Sequence, residues 1–134
     1  MKTQQPGLEQ SGAPTKAEMD ILQVLWDHGP STVRFVNDTL NAQKKAVQYT
    51  STLKQMQVMA DKGMLLRDES QMKHVYTAAL EESTTKNLLL DNFVDTHYKG
   101  SATRLFQQLL GSKKTSQKEL DEIRAFLNQQ SDPH

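Results

Sequence analysis

A mainly α fold with one small β-hairpin is what the sequence predicts, and three observations predict it. Apolar residues recur at helical spacing in three segments before residue 64, each closed by glycine, proline or a polar loop. Two short runs rich in β-formers follow, Met64-Leu-Leu-Arg67 and Lys73-His-Val-Tyr-Thr77, with the polar, turn-like Asp68-Glu-Ser-Gln-Met72 between them. From Leu80 onward the helical spacing returns in three short amphipathic segments.

Residues 1–13 are rich in Gln, Gly and Ser with almost no large apolar group. They cannot bury enough surface to offset their ordering entropy, so a disordered arm is expected. Pro14-Thr-Lys-Ala-Glu18 then offers Thr15 as a helix N-cap with Glu18 three residues on, a reciprocal capping box. Ile21, Leu22, Leu25 and Trp26 form the face this helix should bury. Gly29-Pro30 ends it, because proline cannot continue the ladder. Ser31 is the expected cap of a second helix whose apolar positions are Val33, Val36 and Leu40, with Phe35 beside them. A polar loop from Asn41 to Ala46 carries Lys44 and Lys45.

The stretch from Gln48 to Gly63 has two different sides. Thr52, Leu53, Met56, Met59 and Ala60 fall on one side of a helix, and Gly63 stops it. Thr50, Ser51, Lys54, Gln55, Gln57 and Val58 fall on the other. Hydroxyls and amides donate to and accept from base edges, and a lysine reaches guanine or phosphate. The plainer alternative is a polar helix facing water. Two short helices and a tight turn before a third helix with a polar outer face give a helix-turn-helix order, and the hairpin after it makes a winged helix. Arg67 and Lys73 flank the expected wing tip, where they either touch the sugar-phosphate backbone or guard a sheet edge against aggregation.

Leu89, Phe93, Val94 and His97 share one side of a helix ending near Gly100. Ser101 caps a short one using Leu105, Phe106, Leu109 and Leu110, and Ser116 with Glu119 opens a last one using Leu120, Ile123 and Leu127. Isolated helices this short are marginal in water. The economical remedy is a second copy of the chain in a symmetric dimer, with Leu89, Phe93, His97 and these leucines, phenylalanine and isoleucine at the contact. The expected division is therefore an arm (1–13), a winged-helix DNA-binding domain (14–78) and a helical dimerisation segment (79–130).

Composition narrows the function. The 134 residues hold 16 Lys+Arg against 16 Asp+Glu, so no global field announces a polyanion. Locally the balance differs: from Lys44 to Lys73 six basic residues face three acidic ones. Absence of cysteine excludes disulfides, thiolate metal sites and thiol nucleophiles. With no secretory h-region in the first thirty residues and no bilayer-length apolar run, a cytoplasmic location is expected. His28, His74, His97 and His134 lack ligand spacing, and there is no G-x-S-x-G elbow or phosphate-cradling glycine loop. No enzyme activity, cofactor or metal is expected. Met56, Met59, Met64 and Met72 suggest Cu(I) chemistry only in principle, since helical spacing favours the core for the first two.

Leu25-Trp-Asp-His-Gly-Pro30, Thr32-Val-Arg-Phe-Val36, Tyr49-Thr-Ser-Thr-Leu53, Asp61-Lys-Gly-Met-Leu65, Tyr76 and Tyr98-Lys-Gly-Ser101 together resemble the penicillinase-repressor (BlaI/MecI) family of winged-helix transcription factors. The resemblance spans roughly Pro14 to Asn128. It implies a homodimeric repressor of a double-stranded palindromic operator, released in some members when a sensor protease cuts the repressor. The start of that family's recognition helix falls on Tyr49, Thr50 and Ser51. The expected DNA-contacting set is Ser31, Thr32, Lys44, Lys45, Gln48, Tyr49, Thr50, Ser51, Lys54, Gln55, Arg67 and Lys73.

Two departures stand out. Val58 occupies a position usually basic in the family, and the bond corresponding to the scissile Asn-Phe falls on Gln108-Leu109, a mismatch that argues against proteolytic induction. Copper-responsive relatives carry a cysteine-rich tail, so thiolate copper sensing is not open to this chain. Two other function classes remain alternatives: a winged-helix protein-interaction module without sequence-specific DNA binding, and a regulator that senses a small ligand.

Overall fold

The computed structural model of the chain describes residues 12–43, 46–112 and 115–130. Nearly all of the expected arm, and both Lys44 and Lys45, lie outside the described residues. Helix α1 (Lys16–His28) starts at the expected capping box. Thr15 Oγ1 accepts from the Glu18 N–H at 3.2 Å, and the Glu18 carboxylate accepts from the Thr15 N–H at 2.9 Å. Ile21, Leu22, Val24 and Leu25 are buried. Trp26, expected with them, is half-buried, because its indole N–H needs a partner and donates to the Leu80 carbonyl at 3.0 Å.

The second helix, α2 (Val33–Ala42), is capped by Thr32 rather than by Ser31. Thr32 Oγ1 accepts from the Phe35 N–H at 3.1 Å. Ser31 and Thr32 form a short strand β1, paired antiparallel with Tyr76 and Val75. The helix begins at Val33, so Thr32 stands at the N-cap position, while the buried Ser31 hydroxyl donates to the Gly29 carbonyl instead. Val33, Val36 and Leu40 are buried as expected, together with Asn37. Phe35 stays largely exposed, edge-on to the His28 ring with centroids 5.1 Å apart.

Helix α3 (Tyr49–Asp61) buries Thr52, Met56 and Met59, with Leu53 and Ala60 partly covered. Its end is the Schellman arrangement: the Gly63 N–H donates to the Ala60 carbonyl at 3.0 Å and the Met64 N–H to that of Met59 at 2.9 Å. Gly63 takes φ +85°, which a side chain would disfavour. Strands β2 (Leu65–Asp68) and β3 (Val75–Ala78) form the hairpin, with Arg67 opposite Tyr76. The sheet order is β1-β3-β2. Three helices with this sheet make the winged helix, and their shared core runs from Ile21 and Leu22 through Met56 and Met59 to Tyr76 and Leu80.

A salt bridge ties the start of α1 to the end of α3: Lys62 Nζ lies 3.0 Å from Glu18 Oε2, with the Glu18 side chain only 5% exposed. Burial opposes the charged carboxylate, yet the Thr15 N–H, the Lys62 ammonium and the Thr15 hydroxyl outweigh it and hold the Glu18 pKa below its ordinary value of 4.5. A depressed folded-state pKa contributes stability that is present above the ordinary value and is lost as pH falls through the lowered one. Thermal melts between pH 7 and pH 3 should therefore show Tm falling more steeply below about pH 4.5 in the wild type than in Glu18→Gln. Parallel profiles would remove Glu18 from the acid transition.

Helix α4 (Glu82–Tyr98) starts two residues beyond Leu80, which itself is buried. Its first turns belong to the winged-helix unit, which ends at Leu89. Thr85 is fully buried with its hydroxyl donating to the Glu81 carbonyl at 2.7 Å, Leu88 packs on the core, and Gln23 Nε2 reaches Glu82 Oε2 at 3.3 Å.

The second unit begins at Leu90 and holds the rest of α4, α5 (Ala102–Leu110) and α6 (Gln117–Gln130). Its caps are those expected. Ser101 Oγ accepts from the Arg104 N–H at 3.2 Å, and Ser116 Oγ from that of Glu119 at 3.2 Å. No residue of α5 or α6 is buried. Among the described residues, no helix is long and apolar enough to cross a membrane.

Candidate nucleic-acid interface

With Thr52, Met56 and Met59 fixed in the core, helical geometry leaves Thr50, Ser51 and Lys54 pointing outward, with Gln55 and Val58 half-covered beside them. These five residues line one shallow hollow that contains hydroxyl, amide, ammonium and apolar groups and no carboxylate. Gln48 precedes them at the N-cap, exposed and without a side-chain capping bond. Lys54 is exposed and has no ion pair among the described residues.

Tyr49 is half-buried against the core. Arg34, outside the expected contact set, lays its guanidinium over the Tyr49 ring, 4.2 Å from the centroid. Arg34 is exposed in the first turn of α2. Thr32, Arg34, Tyr49, Leu53 and Gln57 form one side of an open groove of about 390 Å³, and Met72, Lys73 and His74 of the wing form the other. No acidic side chain lines it. Two permanent cations thus face a slot between helix and hairpin.

Other expected contacts fare differently. Ser31 is buried with its hydroxyl donating to the Gly29 carbonyl at 2.8 Å, so its side chain is not part of the exposed face. Thr32 is half-buried and lines the groove, its hydroxyl oxygen already accepting from Phe35. Arg67 is exposed but paired: its Nε lies 2.6 Å from Glu69 Oε2. An exposed pair of this kind contributes little and exchanges readily for another anion. Lys73 is exposed, just before β3.

The residues expected at a chain–chain contact are largely uncovered. Phe93, Phe106, Leu109, Leu110 and Leu127 are each between 44% and 52% exposed, while Leu89, Leu105, Leu120 and Ile123 are half-buried. His97 is exposed and its ring lies 4.7 Å from that of Phe93. Leu90 and Phe126, absent from the sequence-based set, are also open to solvent. Phe106, Ile123, Phe126 and Leu127 line a largely apolar hollow between α5 and α6, with Glu119 and Glu122 at its side. Gln108 and Leu109 lie exposed within α5, in helical rather than extended backbone.

Met56, Met59 and Met64 are buried in the core, whereas Met72 stands fully exposed at the wing. His134 lies outside the described residues. Among the described residues there is no group of three or more His, Cys, Asp or Glu placed to hold a metal ion.

Comparison with known proteins gives one family: a model described as penicillinase repressor matches residues 14–129 of the chain. No curated protein matches it.

Proposed function

The chain belongs to the penicillinase repressor family of DNA-binding transcriptional regulators, and from that premise we propose that two copies bind an inverted-repeat operator, each laying α3 in a major groove. The observation that carries this reading is the two-sided α3. Its inner side is locked by Thr52, Met56 and Met59, and its outer side offers Gln48, Thr50, Ser51, Lys54 and Gln55 without a carboxylate among them.

Dimerisation is supported by the apolar surface of the second unit. Seven of the ten exposed large apolar side chains lie beyond Leu89. Phe106, Phe126 and Leu127 adjoin one another in one hollow, and clustered apolar exposure marks a surface awaiting a partner. A twin chain supplies a self-complementary one, and reading two half-sites one helical turn of DNA apart requires two α3 helices about 34 Å apart. Cytoplasmic location follows from the role. A sensor protease acting at Gln108-Leu109 would first have to unwind α5, which a helix of that length resists only weakly.

Within this reading the groove between α3 and the wing takes a stretch of phosphate backbone, with Arg34 on one lip and Lys73 on the other. Each phosphate neutralised lowers the logarithm of affinity per log salt by about 0.9, so removing one contact from both subunits should change the slope by roughly 1.8. Lys73→Ala and Arg34→Ala are each expected to do this, and to weaken operator and random duplex alike. Titrations from 50 to 200 mM salt, on the order used for such slopes, check it. A slope unchanged from wild type strikes that residue from the backbone contacts.

A further inference from the structure

The start of α3 is not held by its own first residue. Its N-cap Gln48 makes no side-chain capping bond, whereas Thr15, Thr32 and Ser101 each cap their helices with a hydroxyl. Helix starts with unsatisfied N–H groups fray. Yet this is the end that carries Gln48, Thr50 and Ser51.

Two asparagines of α2 grip the chain just before it. Asn41 Oδ1 accepts from the Val47 N–H at 2.8 Å, and Asn41 Nδ2 donates to the Val47 carbonyl at 3.0 Å. Asn37, only 3% exposed, donates to the same carbonyl at 3.0 Å and to Thr52 Oγ1 at 2.8 Å, while its Oδ1 accepts from Asn41 at 3.2 Å. Both hydrogens of the Asn37 amide are used. Both main-chain groups of Val47 are held as well, and Thr52 ties the grip to the first turn of α3. The chemistry explains the residue type: a primary amide carries donor and acceptor on one rigid plane, so a single side chain can bind a peptide N–H and a peptide carbonyl together. A carboxylate lacks the donor, and an aliphatic side chain lacks both.

We propose that Asn37 and Asn41 are positioning residues for base reading. They fix where the first turn of α3 begins, so that Gln48, Thr50 and Ser51 meet base edges in register, and they leave the Gln48 amide for DNA rather than for capping. This rests on the DNA-binding reading above. Loosening the grip leaves the phosphate contacts of Lys73 and Arg34 in place, because long flexible cations tolerate a small shift that a hydrogen bond to a base edge does not.

The test uses the full chain, an operator duplex selected from a random pool and a random-sequence duplex at one salt concentration. Asn41 is exposed, so water can take up the groups that Asn41→Ala releases, and the variant should still fold cooperatively with a modestly lower Tm. The expected result is faster hydrogen exchange of the Val47 amide, operator affinity lower by roughly tenfold, the size of one lost base contact, and unchanged affinity for the random duplex. Thr52→Ser, which keeps the hydroxyl, should bind like wild type, while Thr52→Val should lose operator preference as Asn41→Ala does. An operator preference retained in Asn41→Ala, or equal losses on both duplexes, overturns the proposal while leaving the DNA reading intact. A wild-type chain that prefers no duplex overturns both.

Discussion

Ending the chain after Leu89 is expected to leave a folded winged helix whose operator affinity has fallen by roughly 10²–10⁴-fold, the range by which linking two modules raises avidity. The choice of end point follows from packing. A fragment ending at Thr77 would lose Leu80, Thr85 and Leu88 from the core, and with Leu80 the carbonyl that receives the Trp26 indole N–H. A fragment ending at Leu89 keeps all of these and discards only the unit whose phenylalanines and leucines lie open to solvent. It should sediment as a monomer, melt cooperatively and bind operator and random DNA with similar, weak affinity. One module makes too few contacts for more. Operator affinity undiminished in a monomeric fragment would contradict the proposed dimer.

Met56→Ala is expected to cost about 2–5 kcal/mol of stability, the range for removing most of a buried long side chain and leaving a cavity. Met56 is fully buried at the centre of the inner face. In a unit of this size such a loss lowers Tm by on the order of 10 °C or more. Thr50→Ala, less than two turns away on the outer face, should stay within about 0.5 kcal/mol of wild type in stability. Thermal and urea melts of the two variants measure the contrast between the faces. Similar losses in both would mean that the outer face is part of the fold rather than a surface kept for a partner.

What the sequence made legible was local chemistry. The boxes at Thr15/Glu18 and Ser116/Glu119, the Ser101 cap and the Gly63 stop each depend on residues within a turn of one another, and each stands where its spacing put it. The inner face of α3 was legible for the same reason, since a period of 3.6 survives any tertiary arrangement.

What escaped depended on distant partners. Strand β1 is two residues long and exists because Tyr76 and Val75 lie beside it, so no periodicity could announce it or show that α2 would start one residue later, with Thr32 as its cap. Arg34 gains its place at the interface only when α2 brings it over Tyr49. Asn37 sits among the apolar positions of α2 with no sequence signal for its role, and it is buried with Val47 and Thr52 supplying its bonds. Arg67 reads as a free cation and is paired with Glu69. Pairing of this kind across a turn was open to inspection, since the two residues are neighbours in the chain.

The central claim is that two copies of the outer face of α3 read an inverted repeat. Selection of bound duplexes from a random pool by the full-length protein, followed by sequencing, tests it most directly. The account predicts enrichment of two mirrored half-sites whose centres lie about 10–10.5 base pairs apart, or a multiple of that spacing. A pool that stays unenriched, or one that yields a single half-site with no mirrored mate, would contradict it.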